Sequence, residues 1–176
     1  MAKRHNPPCD NGHRRGGKLI PALLNLVGTL LMLGVIALML PTFVPRLMGY
    51  EVYNVVSGSM APTITTGSMV LVEPAVAKDV QEGDIIAFFD GASVVTHRVV
   101  HNKLVEGKIV TKGDANETED LSTVDYSSLI GRVVWHMPML GDIMAHVTTL
   151  LGKIYLLALI LCGLLLNIIA GRLRDA

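Results

Sequence analysis

The sequence predicts a mainly β domain held between two membrane-spanning helices. Three observations carry that reading. Uncharged apolar runs stand near both ends, at 19–45 and 154–171. Between them, short Val- and Ile-rich stretches alternate with turn signals, and no stretch keeps a helical period. The chain is 51% hydrophobic but only 17% charged, well below the roughly one quarter charged residues of soluble domains.

Residues 1–18 form a basic tail, with Lys3, Arg4, Arg14, Arg15 and Lys18 against Asp10 alone. Pro7, Pro8, Gly12, Gly16 and Gly17 argue against regular structure there. His5, Cys9 and His13 have nothing nearby to preorganise a metal site. The next 27 residues, 19–45, carry no charge, and about 20 suffice to span a bilayer. Pro21 fits a first helical turn, where its missing N–H is not needed. The run exceeds the ~7–15 apolar residues of a cleavable signal sequence, so it reads as a retained anchor.

The segment 46–140 is expected to be the β domain. Its strands are expected at 68–72, 85–89, 93–100, 108–111 and 130–135, separated by signals such as Glu82-Gly83-Asp84, Asp90-Gly91 and Glu106-Gly107. Over 141–153, Ile143, Met144, Val147, Leu150 and Leu151 fall on one helical face, as in an interfacial amphipathic segment. The run 154–171 is 18 residues long and uncharged; with Lys153 snorkelling it is just long enough to span. A short tail, 172–176, follows with Arg172 and Arg174.

Charge sets the orientation. Five basic residues precede the first span and two follow the second, which places both termini in the cytoplasm and makes the chain an integral membrane protein. Residues 46–147 carry seven Lys/Arg against thirteen Asp/Glu, consistent with a domain on the extracytoplasmic face. The lipid bilayer is therefore an expected partner. A formal net charge of zero gives no nucleic-acid signature. Both cysteines, Cys9 and Cys162, lie outside the β segment. That removes an internal disulfide, a thiolate zinc site and a cysteine nucleophile from it; no cofactor or metal is expected.

The chemistry must then come from oxygen and nitrogen groups. Ser57-Gly58-Ser59-Met60-Ala61-Pro62-Thr63 is a tight polar turn just past the first span. A serine hydroxyl there is a poor nucleophile until a base takes its proton. His97 stands in the strand-like run Val94–Val100, where apolar neighbours would hold an imidazole firmly. His101 is the rival base: at the opening of the next loop, it shares a face with His97 if the strand alternates. The acidic run from Asp114 to Asp120 offers carboxylates to orient the histidine. Asn116-Glu117-Thr118 within it also matches a glycosylation sequon.

Four boxes occur in the order and spacing of type I signal peptidases, and the chain resembles that family over 54–135 and the N-terminal anchor. They are Ser57–Thr63, Gly83-Asp84-Ile85-Ile86-Ala87-Phe88, Thr96-His97-Arg98-Val99-Val100, and Thr111-Lys112-Gly113-Asp114-Ala115-Asn116. The common bacterial form has lysine where this chain has His97, so the resemblance is to the endoplasmic-reticulum and archaeal Ser-His type. The resemblance implies a signal peptidase-like β fold and a serine endopeptidase that removes signal peptides from exported preproteins. It implies Ser59 as nucleophile, His97 as general base, Asp120 as the carboxylate that orients the imidazole, Asp114 as a supporting residue, and Ser57 as an oxyanion-hole donor. Preprotein signal peptides are the implied substrates, with secretion machinery or accessory subunits as further partners. The chain departs from the pattern at Gly67-Ser68, where the family usually reads Gly-Asp. The competing reading is a catalytically silent membrane-anchored accessory subunit of a secretion complex, against which Ser59 and His97 both argue. The self-cleaving repressors, which use a related β domain, join it to a DNA-binding domain for which neither length nor charge is present.

Overall fold

A computed structural model describes residues 16–175. Most of the expected 1–18 tail lies outside the described residues. Helix α1 covers Gly16–Leu47 and helix α3 covers Leu150–Asp175. The expected spans therefore sit inside longer helices. Gly16 and Gly17 already belong to the first turn of α1, where few intrahelical bonds are at stake, and 172–175 continue α3 instead of forming a separate tail. Apolar stretches of 29 residues in α1 and 25 in α3, at about 1.5 Å per residue, exceed a ~30 Å hydrocarbon core.

The chain divides into two compact units, one formed by the described residues of Met1–Met39 and Lys153–Ala176, the other by Leu40–Gly152. In the first, α1 and α3 touch where both carry glycine. A Cβ added at Gly28 would stand 2.7 Å from the Gly163 carbonyl. Small residues thus let the two backbones approach, as packed apolar helices require.

The second unit is built on one seven-stranded antiparallel sheet in the order β1-β2-β7-β3-β4-β5-β6. Its strands are β1 (Glu51–Asn54), β2 (Met69–Pro74), β3 (Ile85–Asp90), β4 (Ser93–Lys103), β5 (Lys108–Lys112), β6 (Val124–Asp125) and β7 (Leu129–Met137). The run Ile85–Phe88 is apolar without alternation because that part of the strand is covered on both faces, while Phe89 beyond it is exposed. Ala87 joins one core with Val55, Met60, Ile64, Val70 and Val72. Ile86 and Phe88 point the other way, into a second core with Val80, Val99, Ile109 and Val124.

The amphipathic segment expected over 141–153 is divided. Helix α2 covers Leu140–Thr148, and α3 starts at Leu150. The break falls at Thr149, whose extended backbone ends α2 and whose hydroxyl accepts the Gly152 N–H at 3.0 Å. That is an N-cap for α3.

Candidate active site

The loop between β1 and β2 carries Ser57 and Ser59. It is pinned from below: Met60 is 1% exposed and Ile64 fully buried, and the Ile64 N–H donates to the Met60 carbonyl at 2.8 Å. The side chain next to Ser59 is thus sunk in a core, so the Ser59 hydroxyl is held at the surface of a rigid turn. The Ala61–Pro62 peptide is cis.

His97 comes from β4, paired with Ile86 of β3. Its side chain is 12% exposed, with the edge of Phe88 packed against it. Its Nε2 lies 3.1 Å from Ser59 Oγ, and its Nδ1 lies 2.5 Å from Asp120 Oδ2. With Nδ1–H donating to the carboxylate, Nε2 presents a lone pair to the serine hydroxyl. Ser57 Oγ stands 3.4 Å from Ser59 Oγ, on an exposed part of the same turn.

Asp120 closes a loop that leaves β5 after Lys112. Its backbone N–H donates to the Thr111 carbonyl at 2.9 Å, and the Thr111 hydroxyl donates to its Oδ2 at 2.7 Å. The same loop reaches the Ser57–Thr63 turn through the Ala115 N–H, which donates to the Ser59 carbonyl at 2.8 Å. Gly113 permits that approach: a Cβ there would stand 2.7 Å from the Ser59 carbonyl oxygen. Asn116 of the sequon is exposed in this loop, with its N–H on the Gly113 carbonyl.

Asp114 lies elsewhere in the arrangement. Arg98 holds it bidentately, Nε to Oδ1 at 2.8 Å and Nη2 to Oδ2 at 2.7 Å. Hydrogen bonding from Arg98 is the main reason that its carboxyl is held below the ordinary carboxylate range, against the opposing effect of burial; the Thr63 hydroxyl adds to the lowering. Arg98 is correspondingly pushed up by the same hydrogen bond. Because the folded Asp114 pKa is depressed, its stabilising contribution is complete above the unfolded value and is lost as pH falls through the folded one, below about pH 4. Asp114→Asn is expected to lower stability by about 1 kcal/mol at neutral pH, a modest figure because Arg98 is 36% exposed to screening solvent. It should also flatten the acid limb of stability against pH, which thermal melts across the acid range would measure.

His101 does not join the site. It lies within β4, not in a loop, and the pairing with β5 shifts register between Val99 and His101. The bulge breaks the alternation. Asn102, not His101, takes the inner side and donates to the Ala77 and Val80 carbonyls, while exposed His101 meets Glu82 at 2.8 Å. The Gly67-Ser68 departure is accommodated locally. Ser68 is fully buried, its hydroxyl 3.2 Å from that of Thr65, and the Asp142 N–H donates to the Gly67 carbonyl at 3.1 Å.

Two residues of this arrangement escaped the sequence reading. Arg98 and Thr111 both sit inside the quoted boxes, but nothing in spacing alone says that one clamps Asp114 and the other Asp120. Among the described residues no group of His, Cys, Asp and Glu has the makings of a metal site.

Comparison with known proteins meets this geometry from the side of sequence. The signal peptidase, peptidase S26 family matches residues 24–120, from within α1 to Asp120. Over 84 residues the chain is 39% identical to Signal peptidase I W of Bacillus subtilis (strain 168), covering 46% of this chain and 44% of that relative. The match thus spans less than half the length of the relative. With more than half of its residues inside the family match, the chain belongs to the signal peptidase, peptidase S26 family.

Proposed function

We propose that this chain is a membrane-bound serine endopeptidase of the Ser-His type that cleaves signal peptides from exported preproteins. The observation that carries the reading is the bridging position of His97, 3.1 Å from Ser59 Oγ through Nε2 and 2.5 Å from Asp120 through Nδ1. Ser59 attacks the scissile carbonyl while Nε2 accepts its proton. Asp120 holds the ring in the required tautomer and stabilises the imidazolium that forms. The imidazolium then protonates the departing amine, and water admitted to the same base resolves the acyl-enzyme. The Ser59 N–H and the Ser57 hydroxyl are the donors offered to the oxyanion. Asp114, bound to Arg98, braces the loop that reaches the Ser59 carbonyl.

The apolar helices support membrane anchoring. With the charge asymmetry of the sequence, both termini are cytoplasmic and the β domain is extracytoplasmic. A preprotein is itself tethered by an apolar helix, so confinement to one surface raises the effective concentration of enzyme and substrate. The substrate enters as an extended strand against a sheet edge, with small residues at the first and third positions before the cut.

The test is cleavage of a preprotein by the purified full chain in detergent micelles, with mass spectrometry of the products. The wild type is expected to release one mature fragment, and Ser59→Ala to release none above background. Equal cleavage by both would remove Ser59 from the mechanism. A folded wild type that releases nothing would favour a silent accessory subunit.

A further inference from the structure

Thr111 is a buried polar side chain where an apolar one would serve the fold at least as well. It lies on β5 between buried Val110 and Lys112, the last residue of the strand, and is fully buried. Valine has nearly the same shape, a stronger preference for strands, and no hydroxyl to desolvate. A buried hydroxyl needs a partner, and among the described residues Thr111 finds it in Asp120. Thr111 stands opposite Val99 in the β4–β5 ladder, so it is a diagonal neighbour of His97 on the same face of the sheet.

We propose that Thr111 is a positioning residue that fixes the Asp120 carboxylate for His97. This rests on the serine endopeptidase reading given above. Its hydroxyl donates to Asp120 Oδ2 at 2.7 Å, the same oxygen that faces His97 Nδ1 at 2.5 Å. Its carbonyl accepts the Asp120 backbone N–H at 2.9 Å. One residue therefore holds both the backbone and the carboxylate of Asp120. The need is local: residues 115–119 between them are all exposed, and Asp120 is 19% exposed. A carboxylate at the end of a solvated loop gains hydration by rotating outward. The Thr111 hydroxyl opposes that rotation from within the sheet and aims Oδ2 at the ring. A hydrogen bond to a charged acceptor is among the stronger ones.

The experiment measures kcat and KM of preprotein cleavage for the full chain in detergent, with thermal melts on the same samples. The variants are Thr111→Val, Thr111→Ser, Asp120→Asn and the double variant Thr111→Val/Asp120→Asn. Thr111→Val is expected to lower kcat about tenfold with KM within about twofold. Thr111→Ser, which keeps the donor, is expected to recover most of that loss. In the Asp120→Asn background Thr111→Val should cost nothing further, because the group that it positions is already disabled. A purely structural role would lower the melting temperature and reduce activity equally in both backgrounds. Wild-type kcat in Thr111→Val, or losses that multiply in the double variant, would overturn the inference and leave the serine endopeptidase reading standing. Wild-type activity in Asp120→Asn would take the carboxylate out of the mechanism and overturn the inference, while the Ser59–His97 endopeptidase reading, tested by Ser59→Ala, would stand. Should Thr111→Val fail to fold, Thr111→Cys, with a similar volume and a weak donor, completes the same cycle.

Discussion

Replacing His97 with alanine is expected to lower kcat by roughly 10³–10⁶, with KM little changed. Among the described residues, the imidazole is the group that bridges the Ser59 hydroxyl and the Asp120 carboxylate. Without it the hydroxyl keeps its proton and Asp120 has nothing to act through. His97→Lys is the more discriminating change, since lysine occupies this position in the common bacterial form. It is expected to be as inactive as the alanine variant. Asp120 would stand close to the introduced amine, and an adjacent carboxylate favours the ammonium form, which cannot accept a proton. Substantial activity in His97→Lys would show that the site tolerates a dyad, and that Asp120 does not control the base. Cleavage assays of the three proteins at equal folded concentration decide it.

The second large effect concerns the two carboxylates. Asp120→Asn is expected to reduce kcat by roughly 10³–10⁴, because a neutral amide neither fixes the tautomer nor stabilises the imidazolium. Asp114→Asn should leave most of kcat intact and register chiefly in stability, since its partner is Arg98 and not the imidazole. The side-by-side comparison of kcat and melting temperature carries the result. If Asp114→Asn were the more damaging to kcat, the roles would be exchanged.

Much of the fold could be read from residue order alone. Strands β3, β4, β5 and β7 announce themselves as Val/Ile-rich runs between glycine-bearing turns. Strands β1 and β6 do not. Glu51–Asn54 is four residues with polar ends, and Val124–Asp125 is two. Both are sheet edges whose existence depends on the partner strand more than on their own composition. The split at Thr149 was equally hidden, because the apolar period of α2 runs into that of α3 and only the cap reveals the break.

The site shows the same division. Ser59 and His97, which the fold brings together, are legible as candidates because each stands in a recognisable local setting, a tight turn and an apolar strand. Strict alternation would put His101 on the face of His97; the bulge after Val99 turns it to solvent. Asp114 and Asp120 lie on one loop, and their spacing from His97 does not separate them. What separates them is how the loop folds back: Gly113 beside Ser59, Asp120 on Thr111, Arg98 around Asp114. These contacts join residues from nine positions apart upward, and no local pattern encodes them.

The most direct measurement is a double-mutant cycle on preprotein cleavage with Ser59→Ala, His97→Ala and the two combined. Groups that act as one unit are strongly non-additive. If Ser59 attacks only when His97 takes its proton, each single variant loses nearly all activity and the double variant is no slower than either. Losses that multiply, or a Ser59→Ala protein that still depends on His97, would contradict that coupling.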